Sequence, residues 1–156
     1  LKELGLGSNQ ISSLPENVFK HLNELKVIDL QSNQISSLPE NIFEHLKELK
    51  EIHLEYNQLK SLPPQLFKNN RKLVTIDLSR NQIEEIPSNF FAGLTEVEGL
   101  WLFSNTISHL PTNLFNDLTK LRDIGLDRNN LKVLSKEILE FNKKLEQIYL
   151  SYNQLE

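Results

Sequence analysis

The stretch Leu49–Lys72 reads LKEIHLEYNQLKSLPPQLFKNNRK, and Leu73–Glu96 reads LVTIDLSRNQIEEIPSNFFAGLTE. Laid one over the other, they place apolar residues at the first, fourth, sixth and eleventh positions, Asn at the ninth, Pro at the fifteenth and Phe at the nineteenth. The 24-residue spacing continues outward in both directions, with Leu1, Leu25, Leu49, Leu73, Val97, Leu121 and Leu145 at the first place. Asn recurs at the ninth in every unit, from Asn9 to Asn153. Six full units and a half unit account for residues 1–156, so the chain reads as one repeat domain. A unit this short cannot bury its own Leu side chains; neighbours must stack and share a core.

Each conserved place has a physical task. Places 3 to 7 alternate polar and apolar, the period of a strand with one buried face. The Asn side chain offers two donors and an acceptor, enough to satisfy backbone groups left unpaired where the chain leaves the strand. The Phe column, Phe19, Phe43, Phe67, Phe91 and Phe115, is expected to stack ring against ring on the opposite side. Pro at place 15 has no amide hydrogen and ends the ladder. Segments such as Pro39–Phe43 are expected to wind into short helical turns.

The pattern L-x-x-L-x-L-x-x-N-x-L resembles the leucine-rich repeat family along the whole chain. The L-P-x-x-x-F-x-x-L half of each unit is similar to its typical 24-residue subclass, which includes Toll-like receptors, small leucine-rich proteoglycans and variable lymphocyte receptors. The resemblance implies an α/β repeat solenoid: a horseshoe with a concave parallel β-sheet, convex loops and short helical turns. It also implies protein recognition in an extracellular or cell-surface setting, in immune sensing, adhesion or signalling. The sixth unit departs from the pattern, with Ser135 for Pro and Leu139 for Phe, as units near the end of an array do. Residues 1–156 are therefore expected to be an uncapped excerpt of a longer protein.

Composition removes several other classes. Without cysteine there is no disulfide framework, thiolate metal site or thiol nucleophile. A net charge of −4 argues against nucleic acid as a partner. No apolar run approaches the ~18 residues of a membrane span, so this segment is not expected to insert. No phosphate-binding glycine loop or zinc-protease motif is present, and no cofactor is expected. Ser79, Asp77 and His53 invite a hydrolase reading, yet they fall side by side on an open strand face with no nucleophile elbow, and no enzyme activity is expected.

Function must then lie at the variable outward positions, places 3, 5, 7 and 8 of each unit. All three Tyr and the single Trp of the chain fall there: Tyr56, Trp101, Tyr149 and Tyr152. Trp101 and Phe103 share one strand face with Gly99 beside them, which marks a binding hot spot. The same columns hold Glu3, Asp29, Glu51, Glu55, Asp77, Asp123 and Asp127 against Arg80 and Arg128, a field that favours a protein partner with a basic surface. His53 sits between Asp29 and Asp77 in one column, with Glu51 and Glu55 in its own strand, and is a candidate pH sensor between about 6 and 8. A metal ion is not expected, since a flat ladder would splay these ligands.

Two other readings use the same sequence. The array could act as a structural or matrix spacer with a passive concave face, or as a cytosolic interaction scaffold. End-to-end or homodimeric self-association would follow from half-buried apolar rows at the end strands, Leu4 and Leu6 at one end, Ile148 and Leu150 at the other.

Overall fold

A computed structural model covers residues 1–156. Its strands are β1 (Glu3–Gly5), β2 (Val27–Asp29), β3 (Glu51–His53), β4 (Thr75–Asp77), β5 (Gly99–Trp101), β6 (Asp123–Gly125) and β7 (Gln147–Tyr149). They form one parallel sheet in sequence order, the inner face of a solenoid of stacked turns. Register follows the repeat without slippage: Ile28 lies opposite Ile52, Ile52 opposite Ile76 and Ile76 opposite Leu100. Each strand is only three residues long, but the ladder runs on to place 8. Leu54 N–H donates to the Asp77 carbonyl at 2.9 Å, and Arg80 N–H to that of Phe103 at 2.9 Å.

Behind the sheet one continuous core of 38 buried residues runs through the stacked turns, each turn packing on its neighbours. The Phe column closes it. Phe19, Phe43 and Phe67 stack with centroids 6.3 and 6.2 Å apart. The extra Phe90 inserts edge-on between Phe67 and Phe91, at 5.3 and 5.0 Å.

The Asn column ties each turn to the one before it. Asn81 Nδ2 donates to the carbonyls of Leu78 and Ser79 in its own turn and of Leu54 in the preceding one, at 3.0–3.1 Å. Its Oδ1 accepts from Leu59 N–H at 3.0 Å. Asn33, Asn57, Asn105 and Asn129 repeat the pattern and are all buried.

The return arms contain no helix. Where short helical turns were expected, separate turns follow one another: Val18 N–H to Pro15, Lys20 to Asn17 and Leu22 to Phe19. These bonds start from alternate or more widely spaced carbonyls, so no two consecutive ones exist to propagate a helix. In the sixth arm Ser135 replaces proline; Ile138 N–H still donates to its carbonyl at 3.2 Å, and its Oγ accepts in addition from Glu137 N–H at 3.2 Å.

Candidate partner-recognition face

At place 8 every unit adopts a left-handed backbone: Ser8, Ser32, Tyr56, Arg80, Ser104, Arg128 and Tyr152 all have φ between 53° and 58°. None is glycine, so each carries a strain of roughly 1 kcal/mol or more. The conformation turns the chain from the strand into the Asn turn. At this place the Arg80 and Arg128 side chains lie against place 8 residues of neighbouring units, and Arg80 also against Phe103 at place 7. Nothing in the residue types signals this geometry.

Three stacking contacts follow. The Arg80 guanidinium lies 4.7 Å from the centre of the Tyr56 ring and 5.6 Å from that of Phe103. Arg128 lies 4.4 Å from that of Tyr152. Such contacts hold a cation without neutralising it.

Trp101 lies over Gly125 of the next strand and meets Tyr149 beyond it, with ring centroids 6.3 Å apart. A Cβ on Gly125 would come within 2.8 Å of the indole, so the missing side chain is what lets the ring settle there. Gly99 also adjoins the indole, at ordinary contact distance. Trp101 and Phe103 are consequently half-buried, whereas Tyr56, Tyr149 and Tyr152 are exposed. Together with Arg80, Asp127 and Arg128, the rings of Trp101, Phe103, Tyr149 and Tyr152 line an open hollow of about 470 Å³. On its other side Trp101 walls a second, more polar recess of about 520 Å³ that includes Thr75, Asp123 and Gln147. Seven of the sequence candidates thus converge on the first hollow, Tyr56 buttresses its edge through Arg80, and Asp123 lies behind Trp101.

The remaining candidates gather two rows away. His53 stands with its Nδ1 3.7 Å from Glu55 Oε2 and its Nε2 3.7 Å from Glu51 Oε2. The Glu55 contact raises its pKa to about 8, partial burial opposes this, and the charges of Glu55, Asp29 and Asp77 reinforce it. At 3.7 Å that contact is an ion pair rather than a well-formed hydrogen bond. Asp77 is held above the usual carboxylate range by burial, against the bonds it accepts from Ser79. Asp29 accepts from Gln31 N–H at 3.0 Å and Nε2 at 3.1 Å.

One donor atom each from His53, Glu55 and Asp77 lies within 4.8 Å of the others. The splayed arrangement expected of a flat ladder is not what forms: parallel register sets His53 beside Asp77 on the neighbouring strand. One imidazole and two carboxylates are a donor set that a divalent transition metal accepts. A proton on His53 also places positive charge there, one unit rather than two. The Ser79 hydroxyl donates to Asp77 Oδ1 at 2.6 Å and not to His53, so the three side chains are not ordered as Ser–His–Asp.

Sequence reading missed two buried polar residues. Asn70 and Asn142 occupy the place where other units have Leu22, Leu46, Leu94 and Leu118. Asn70 Nδ2 donates to the Phe43 and Leu46 carbonyls at 2.9 Å, and Asn142 repeats this toward Phe115 and Leu118. Both leave a buried Oδ1 without a partner. A break in an otherwise all-Leu column was the available signal.

No curated protein matches the sequence. Among solved structures, the leucine-rich repeat domain of APL1B is 27% identical with a TM-score of 0.88, over 97% of this chain and 42% of that one. An internalin, inlF of Listeria monocytogenes, is 24% identical with a TM-score of 0.83, over 100% of this chain and 43% of that one. Toll, solved in the Drosophila Toll–Spatzle complex, is 23% identical with a TM-score of 0.67, over 99% of this chain and 27% of that one. The chain therefore spans less than half the length of each of these structures. A family model described as "Leucine rich repeat" matches residues 1–59, 47–107 and 95–155. With the 24-residue register, the parallel ladder and the Asn and Phe columns, this places the chain in the leucine-rich repeat family.

Proposed function

We propose that the chain is a protein-recognition module that binds its partner on the concave face, centred on the hollow around Trp101. One observation carries this reading: the chain's only Trp and two of its three Tyr line a single recess on an otherwise polar sheet. Aromatic groups on a rigid scaffold contribute large contact area at small entropic cost, which is how hot spots are built. The fold is one commonly used for protein interaction, and the solved Toll–Spatzle complex is one such pairing. By analogy, the setting we favour is extracellular or at the cell surface, in immune recognition, adhesion or signalling.

The test uses peptides selected from a random displayed library on the purified chain. Replacing Trp101 and Phe103 together by Ala should weaken their binding by about 2–4 kcal/mol. The thermal midpoint should fall by only a few degrees, since both side chains are half-buried at the surface. Undiminished binding by the folded double variant would refute the reading.

A further inference from the structure

The concave face is electrically divided. Asp29, Glu51, Glu55 and Asp77 dominate the rows of β2 to β4, with His53 among them. The hollow beyond them holds two guanidiniums and one carboxylate, Asp127. The chain's ion pairs occupy Lys72, Lys120, Arg122 and Lys136 but neither Arg80 nor Arg128. Both arginines keep all their N–H donors unspent while their planes rest on Tyr56, Phe103 and Tyr152. They stand two repeats apart, roughly 10 Å, with Ser104 between them leaving the gap open.

Stacked guanidiniums are pre-oriented, so a carboxylate that meets them loses little additional side-chain freedom. Bidentate pairing with a carboxylate is the contact their geometry favours. The rest of the wall is aromatic: Trp101 and Tyr149 present ring faces that only a flat or apolar group would cover well. A recess with this wall takes an acidic group and an apolar one side by side.

Resting on the concave-face reading above, we infer that the hollow binds an acidic–aromatic segment of a partner protein. Asp or Glu carboxylates pair separately with Arg80 and with Arg128, and the adjacent aromatic side chain lies on Trp101 and Tyr149. The acidic rows of β2 to β4 fix the segment's direction, because they favour basic residues at the far end and repel a uniformly acidic chain. Asp127 and those rows disfavour a dense polyanion such as a sulfated glycan.

The experiment is a selection of random displayed nonapeptides on the parent chain and, separately, on the R80Q/R128Q and W101A variants. Peptides from the parent should be enriched in Asp or Glu next to Trp, Tyr or Phe. Their affinity should fall about tenfold for each guanidinium removed. Changing each peptide carboxylate to the amide should cause a similar loss on the parent and almost none on R80Q/R128Q. If W101A abolishes binding while R80Q/R128Q leaves affinity and peptide composition unchanged, the acidic–aromatic inference falls and the concave-face reading stands. If neither variant matters, both fall. Enrichment of Lys and Arg at the hollow, or tighter binding of a heparin hexasaccharide than of any selected peptide, would overturn the inference.

Discussion

Replacing Asn81 with Ala removes the central rung of the Asn ladder, and its cost can be worked out bond by bond. Leu59 N–H is buried and its acceptor is Asn81 Oδ1 at 3.0 Å, so the variant leaves it unpaired, at about 1–3 kcal/mol. The carbonyls of Leu54 and Leu78 keep a second donor, from Asn57 and Asn105, and that of Ser79 keeps Tyr56 N–H. Their combined loss is smaller, about 1–2 kcal/mol. The sum is about 2–5 kcal/mol. Asn9 is the control. It is exposed and makes two bonds, both within its own turn, at 3.0 and 3.1 Å, so N9A should cost under about 1 kcal/mol. Urea denaturation followed by circular dichroism measures both. Equal losses for N81A and N9A, or a loss below about 1 kcal/mol for N81A, would refute the claim that the Asn column couples neighbouring turns.

Other perturbations probe separate parts of the account. Because His53 has a folded-state pKa of about 8 against 6.5 when free, its stabilisation is complete below pH 6.5 and lost as pH rises through 8. After solvent screening the amount is about 1 kcal/mol; a stability flat from pH 6 to 9 contradicts it. E55Q removes the main cause, so the His53 titration followed by NMR should move down toward 6.5. An unchanged midpoint would assign the shift elsewhere. G125A brings a Cβ to 2.8 Å of the indole, and should displace Trp101 and shift the emission of the chain's only Trp. Emission identical to the parent would show that the ring does not rest on Gly125. N70L restores the Leu of the other units and removes a buried, unpartnered Oδ1, offsetting two lost bonds. Stability should change by less than about 1 kcal/mol, in contrast to N81A.

The repeat made the architecture legible because seven copies of one pattern report strand, turn and core positions independently. Ile28, Ile52 and Ile76 had to share a register once the spacing was constant, and the structure pairs them so. The outward columns follow from the same period, which puts Trp101, Phe103, Tyr149 and Tyr152 on one face of the sheet. How they assemble was not legible. The left-handed backbone at place 8 falls on Ser, Tyr and Arg, residues with no special preference for it, and Arg80 and Arg128 lie over aromatic rings there. The approach of His53, Glu55 and Asp77 to within 4.8 Å of one another depends on how their side chains are placed, which an alternation of residue types does not encode. In the return arms, local composition suggested helical turns, but the spacing of the i to i+3 bonds broke them into separate turns.

The central claim is that recognition occurs on the concave hollow and not on the convex loops. An amide NMR titration of the uniformly ¹⁵N-labelled chain with a peptide selected on it tests this directly. The account predicts shift changes concentrated in residues 99–104, 125–128 and 149–152, around Trp101, Gly125 and Tyr149. Changes centred instead on the return arms, residues 87–93 and 111–117, would contradict it.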